Sequence, residues 1–554
     1  MLCKRLQRFF IDGNLQFVYN EFIKMVIFGV NIGVVRRDTM KNIRIIAVIL
    51  ILAAMLAACS TVPGIPQTDE VCISLSDTEL LVDGKAISKE ASSAVYVAQD
   101  IVYYEAGKDF TYGEGTEKDA HSPESAAAHQ VVHITQPGIY RLSGKLSLGQ
   151  IAVDLGEDAK TDPNAVVTLV LDGVDITCEV APAVIFYRVY ECGDPEKASR
   201  DVDTTGAGAN VVIADGSENF VRGSYVARIY KPESVVLNGA GTAVEDAKKL
   251  HKYDGAFYSK MSMNINGEKK NNGVLRIYAE NEGMDSEMHL TVNGGNIYIE
   301  SGNDGINTNE DGVSVTTVNG GSLAIRVTGE TGEGDGIDSN GWLVINGGTV
   351  IAQACSASAD AGIDSDMGIH INGGTVMASG NMLDHIEDGG QTYAVFNFAE
   401  RQNGMQSVVL KNEKGKTVME CSPKNAYSIL IYSSPDLKPG TYTLWSDGRQ
   451  LAGQSGGMMG GDGMMPGGMM PPEDDRSDRP APQGNPPEGG MEPPGGFTMP
   501  AGQEPPRGEM PAGGPGRPMG GEMPGLGGAG SQEISPEFVI ASGANMFMRI
   551  APVE

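Results

Sequence analysis

The chain has 554 residues, with 71 Asp and Glu against 41 Lys and Arg and a formal net charge of -30 at pH 7. An acidic surplus of that size excludes nucleic acid as a partner and excludes an electrostatic grip on anionic lipid, so any anionic ligand needs a bridging cation. The seven cysteines lack CxxC clustering, which excludes a cysteine zinc site.

Residues 1–39 stand upstream of a complete export signal and read as a non-native extension. From Met40 to Cys59 the text "MKNIRIIAVILILAAMLAAC" has a basic start at Lys41 and Arg44, an apolar run from Ile45 to Leu56, and small residues before the cysteine. The run is too short to span a bilayer comfortably. This resembles a bacterial lipoprotein signal, with Cys59 as the lipidated residue. The resemblance implies a location on the outer face of the cell membrane, held there by the lipid. Of the remaining cysteines, Cys178 and Cys192 are placed to pair if they flank a hairpin, and the others read as small buried apolar residues.

Residues 60–130 read as an N-terminal segment and linker. Strand-rich stretches follow at 137–156, 166–178, 181–192 and 209–221, with Asp-Gly turns. A fixed repeat then takes over. Asn-Gly recurs at Asn266, Asn293, Asn319, Asn346 and Asn372, in steps of 27, 26, 27 and 26 residues. Four of these are preceded by Gly-apolar-Asp/Asn-Ser/Thr: Gly283–Ser286, Gly305–Thr308, Gly336–Ser339 and Gly362–Ser365, and the second unit carries an insertion of four residues.

Apolar residues alternate with polar ones inside each unit, the mark of a strand with one buried face. In the third unit Ile337, Leu343 and Ile345 share one side, and Asp338, Asn340 and Trp342 the other. In the last, Ile363, Ser365, Met367, Ile369 and Ile371 share one side, and Asp364, Asp366 and His370 the other. The alternation excludes a helical repeat, and a propeller blade needs about 40 residues or more. The spacing predicts an all-β chain whose residues 131–390 form a parallel β-helix solenoid, each coil burying its inner face on the next. Residues 391–452 lose the period and read as an antiparallel β cap. Residues 453–530, rich in Gly, Met and Pro, cannot bury a core and read as a disordered insertion, and 531–554 return to a strand pattern.

The folding role leaves the outward residues unexplained, and these carry oxygen. Asp285 and Glu287, Asn307 and Asn309, Asp338 and Asn340, and Asp364 and Asp366 occupy equivalent positions, with Glu282, Asp304, Glu333, Asp335 and Asp360 at the edge of the strip. Neighbouring coils lie about 4.8 Å apart, close enough for stacked carboxylates to repel. Such a ladder suits a cation that takes six to eight oxygens, which points to Ca²⁺ rather than Mg²⁺. The competing reading is a solvated polar face with Asn ladders.

The strings "GIDSNGWLVINGGTV", "DGAFYSKMSMNING" and "GIYRLSGKLSLGQIAVDLG" resemble the secreted bacterial carbohydrate-binding β-helix proteins, associated with pectin and cellulose and often lipoproteins. The resemblance covers about residues 130–450. It implies a right-handed parallel β-helix akin in fold to calcium-dependent pectate lyases, Ca²⁺ held by acids on consecutive coils, and plant-type polysaccharide as partner. The metal residues it favours are Asp285, Glu287, Asp304, Asn307, Asn309, Asp335, Asp338, Asn340, Asp364 and Asp366. The inserted second coil challenges the continuity of that row.

For sugar contact the sequence offers Trp342, able to stack on a pyranose face, together with His370 and Lys260. Lys260 stands six residues before Asn266, as Glu287, Asn340 and Asp366 stand before theirs. A lysine there is either a structural salt bridge or the base of a β-elimination. The expected function is calcium-dependent binding of acidic pectic or cellulosic polysaccharide without cleavage, by a monomer. The alternatives are a pectate lyase with Lys260 as base and a structural cell-surface adhesin.

Overall fold

The computed structural model describes residues 70–456 and 533–553. The signal segment, Cys59 and most of the Gly/Met/Pro-rich insertion lie outside the described residues.

Among the described residues the chain is almost wholly β, with one five-residue α-helix at Pro123–Ala127. Three parallel ladders organise it. The first runs through Ala209–Ile213, Met263–Gly267, Leu290–Val292, Val315–Val318, Trp342–Ile345 and Gly368–Ile371. The second runs through Glu218–Gly223, Val274–Ala279, Asn296–Ser301, Ser322–Val327, Thr349–Gln353 and Thr375–Gly380. The third joins Gln130–Ile134, Gly149–Asp154, Val184–Arg188, Gly255–Ser259, Glu282–Ser286 and Ile306–Thr308. It continues as a bridge from Ile306 to Ile337 and the Asp364 N–H to Ile337 O bond. Parallel pairing begins upstream of residue 131, because Val71–Leu75 already pairs in parallel with Gly138–Leu146.

The register explains the period. Ile265, Val292, Val318, Ile345 and Ile371 stand directly over one another, as do Leu275, Ile297, Leu323, Val350 and Val376, and all are at most 1% exposed. No rung can bury such a side chain alone. Stacking contributes about 1.5–3 kcal/mol for each one removed from water.

The Asn-Gly-Gly corner divides its labour. Its second glycine holds positive φ, +89° at Gly295, +80° at Gly321, +78° at Gly348 and +82° at Gly374. A Cβ at Gly348 would also lie 2.7 Å from Gly321 O. The asparagine, in contrast, builds an exposed ladder, each Nδ2 donating to the Oδ1 one rung below at 2.9–3.0 Å from Asn372 down to Asn266.

Two expectations about side-chain direction need correction. Met367 is 45% exposed rather than inward, because its N–H bonds to Gly341 O at a corner, where strand alternation stops. The same applies to Trp342, which opens a first-ladder strand after the Asn340–Gly341 corner and does not continue the side of Asp338 and Asn340. The four-residue insertion is absorbed at the turn around Glu310–Val313, so Asn307 stays opposite Asp285.

At one end the second ladder passes into antiparallel strands, Thr375–Gly380 pairing with Tyr427–Ser433. Beyond it Tyr393–Gln402 and Ala544–Pro552 pair in parallel, and a separate apolar cluster forms around Phe396, Phe538 and Phe547. Cys72, Cys178, Cys192, Cys355 and Cys421 are all free, so Cys178 and Cys192 do not pair.

Candidate metal centre and binding cleft

One outward column of the third ladder reads, rung by rung, Ala152, Ile185, Tyr258, Asp285, Asn307. Asp338 and Asp364 extend it, their N–H groups bonding to Ile306 O and Ile337 O at 2.8 Å each. The column changes from apolar to acidic at a single step.

The apolar half is covered. Residues 225–254 leave the rungs, and Tyr253 packs edge-on against both Tyr187 and Tyr258, with centroids 5.6 and 5.0 Å apart. This excursion is tied to the N-terminal segment. Tyr225 donates to Asp119 at 2.5 Å, Arg228 pairs with Glu114 at 3.4 Å, and Lys249 pairs with the same Glu114.

The acidic half lines a cleft of about 460 Å³. Asp254, Glu282 and Asp285 are all buried and present carboxylate oxygens within 4.8 Å of one another. Asn307 Nδ2 donates to Glu282 Oε1 at 3.3 Å, and Asn309 Nδ2 to Asp285 Oδ1 at 2.8 Å. Glu282 Oε2, Asp285 Oδ2 and Asn307 Oδ1 are buried and find no hydrogen-bond partner among the described residues. Leaving buried oxygens unpaired costs about 1–3 kcal/mol each, more for charged groups, so these three are costly unless a group outside the described residues pairs with them. Further along, Asp304 Oδ1 accepts from Asp335 N–H at 2.6 Å, and Asp335 Oδ1 from Ala361 N–H at 2.6 Å.

The electrostatics follow from this crowding. Burial, and then the neighbouring carboxylates, push Glu282, Asp285, Asp335 and Asp338 well above the usual carboxylate range. Burial moves Asp304 to about 7 and Asp364 to about 8, with Asp384 and Asp338 as the main charged neighbours of Asp364. Glu287 goes the other way. Burial raises it, but His251, Tyr258 and Asn309 together outweigh that effect and hold it below its ordinary value.

Among the residues expected to hold metal, Glu287, Asp304, Asn307, Asn309, Asp335, Asp338 and Asn340 line the cleft. Asp285 completes the buried triad, and Asp364 faces Asp335, Asp338 and Asp384. Asp366 is exposed and lies outside the cleft lining, and its charge acts on Asp338. The expected sugar contacts do not converge here. Lys260 lies beside Glu287 in the stack but outside the cleft lining and makes no salt bridge among the described residues. Trp342 is half-buried on another ladder, and His370 lies 3.4 Å from Arg200 on a distant loop.

Asp254, Arg228 and Lys252 were missed. For Asp254 a signal existed: it precedes Gly255 as Glu282 precedes Gly283, Asp304 precedes Gly305 and Asp335 precedes Gly336. Arg228 and Lys252 carry no such mark, because they arrive on a segment that departs from the repeat.

Residues 128–393 match the family model described as carbohydrate-binding domain-containing protein. That span contains every residue lining the cleft. A carbohydrate-binding domain-containing protein of Acetivibrio thermocellus is 28% identical over 178 residues, 32% of this chain and 47% of the relative. The chain thus spans about half the length of the relative it matches. A solved structure described as the polysaccharide lyase-like protein from C. thermocellum, gadolinium derivative, has 20% identity and a TM-score of 0.31 over 55% of this chain and 90% of its own.

Proposed function

We propose that the chain is an extracellular, lipid-anchored protein built on a right-handed parallel β-helix, which binds acidic pectic or cellulosic polysaccharide through Ca²⁺ without cleaving it. The observation that carries the reading is the buried cluster of Asp254, Glu282 and Asp285, with carboxylate oxygens within 4.8 Å of one another, together with buried oxygens on Glu282, Asp285 and Asn307 that find no hydrogen-bond partner among the described residues. Similarity of residues 128–393 to carbohydrate-binding domains supports the ligand class.

Asp254, Glu282, Asp285 and Asn307 would hold one ion, and Asp304, Asp335, Asp338 and Asp364 supply oxygens for a second. Carboxylates mixed with amide oxygens on a stiff sheet suit the variable coordination of Ca²⁺ better than the octahedron of Mg²⁺. A cation held there would screen the acids and could be shared with carboxylate or hydroxyl oxygens of a sugar chain. Without it, the cleft and a polyuronate repel each other.

A second reading, polysaccharide lyase, is favoured by one observation: the Lys252 ammonium lies in the cleft, 3.0 Å from Asp254. Lys260 lies outside the cleft lining, which makes Lys252 the better placed base on this reading.

Binding to polygalacturonate and to cellulose, each with calcium and with EDTA, tests the proposal. Retention that depends on calcium and is lost in Asp285→Ala is expected, and equal retention in EDTA sinks the calcium reading. Steady growth of the ultraviolet absorbance of unsaturated uronates, abolished in Lys252→Gln, would establish the lyase instead.

A further inference from the structure

The cleft is not uniformly acidic. Among its lining residues Arg228 and Lys252 are cationic, and both stand on the 225–254 excursion rather than on the rungs that supply most of the acids. Arg228 is held from behind. Its side chain is 13% exposed, and one guanidinium nitrogen pairs with Glu114, which lies outside the lining and is itself shared with Lys249. A guanidinium presents five N–H donors in a fixed fork, so a single pairing to Glu114 orients the group without saturating it. Lys252 pairs with Asp254 at 3.0 Å, the carboxylate that also belongs to the buried triad.

Resting on the calcium reading above, we infer that Arg228 and Lys252 form a carboxylate-reading wall, which selects a polyuronate with free carboxyl groups over its methyl ester and over neutral glycans. The physical reason is a change of sign. With the acids uncompensated, the two cations are outnumbered and the field at the cleft mouth repels an anion. Divalent ions on Asp254, Glu282, Asp285 and their neighbours would offset much of that field, so the positive charge of Arg228 and Lys252 then counts for more along the wall they occupy. A uronate carboxylate that enters the cleft can accept charge-assisted bonds from the Arg228 guanidinium and the Lys252 ammonium that an ester or a hydroxyl cannot match. Binding is therefore ordered, cation first and uronate second.

The test compares the full chain with Arg228→Gln, Lys252→Gln and Arg228→Lys. Calcium affinity is read by calorimetry, folding by thermal melting, and glycan affinity on polygalacturonate, highly methyl-esterified pectin and cellulose. Arg228→Gln is expected to bind calcium as the unaltered chain does, and Lys252→Gln at least as tightly, since it frees Asp254 from its ion pair; each should lose about tenfold or more in affinity for polygalacturonate, the size expected for a charge-assisted contact. Affinity for the ester and for cellulose should hold, and Arg228→Lys should recover part of the loss.

Undiminished polygalacturonate binding in both Gln variants overturns the inference and leaves the calcium-dependent function standing. Equal losses on ester and free acid also overturn it, by exposing a packing role. An unaltered chain that takes up calcium yet binds no polygalacturonate overturns both this inference and the acidic-ligand reading. If Arg228→Gln melts, Lys252→Gln and Arg228→Lys decide the matter alone.

Discussion

Tyr258 and Asp285 occupy the same outward position on adjacent rungs, and the boundary between a covered apolar face and an open acidic cleft runs between them. Tyr258 is fully buried beneath Tyr253 and donates to Glu287 at 2.9 Å. Asp285, equally buried, keeps one oxygen without a hydrogen bond among the described residues. One rung satisfies its polar atom inside the protein, and the next does so only in part.

That contrast makes the effect of Asp285→Asn depend on calcium. In chelator the change removes a buried charge crowded by Glu287 and Asp254, and should raise stability by about 1–3 kcal/mol. In calcium, if Asp285 holds the ion as proposed, the change removes a ligand and should lower the melting temperature relative to the unaltered chain, because an ion bound by the native state alone stabilises it. Melting curves of both proteins in EDTA and in calcium check this, and a variant that melts lower in both conditions contradicts it.

Stability of the metal-free chain should fall as pH rises. Asp304, held near 7, and Asp364, held near 8, lie above the roughly 3.9 of an unfolded Asp. The folded chain then binds more protons than the unfolded one, and the stabilisation, complete at low pH, is lost as pH climbs through those values. Burial holds His289 down at about 4, and it contributes a loss only below its unfolded value of about 6.5. A melting series in EDTA from about pH 6.5 to about pH 9 therefore isolates the carboxylates. The expected outcome is a falling melting temperature, with calcium flattening the curve.

Corner chemistry can be separated by two substitutions in one repeat. Asn346→Ala deletes a donor to Asn319 and an acceptor from Asn372 on an exposed ladder, a loss of about 0.5–1.5 kcal/mol per bond. Gly348→Ala forces a side chain into positive φ and against Gly321 O, at a cost of about 1–3 kcal/mol from strain alone. Urea titration should find both destabilised and the pair less than additive, since they share a corner.

The proposed lipid anchor is tested at Cys59, the cysteine that ends the apolar run. Cys59→Ser should release the protein from membranes into the medium and abolish labelling by palmitate. Retained label would refute the lipoprotein reading.

Much of the rung architecture was legible because its cause is periodic. Ile265, Val292, Val318, Ile345 and Ile371 recur at one step since each must sit on the last, and a fixed Asn-Gly-Gly corner marks each turn. The acid positions share that register, so Asp285, Asn307 and Asp338 could be aligned before any coordinate was known. Trp342 was misread for a related reason: counting alternation across the Asn340–Gly341 corner assumes a strand where the chain bends onto a different ladder.

Sequence by itself determined the all-β character, the step between rungs and the column of oxygens, because these are set by local geometry repeated along the chain. Tertiary structure alone decided that the column is half covered, that Asp254 joins Glu282 and Asp285, and that Arg228 and Lys252 line the same cleft as the acids. Those contacts join the rungs to segments 104–121 and 225–254, which lie outside the repeat. Their meeting is fixed by burial of Tyr253 and by ion pairs to Glu114, interactions that no spacing along the chain encodes.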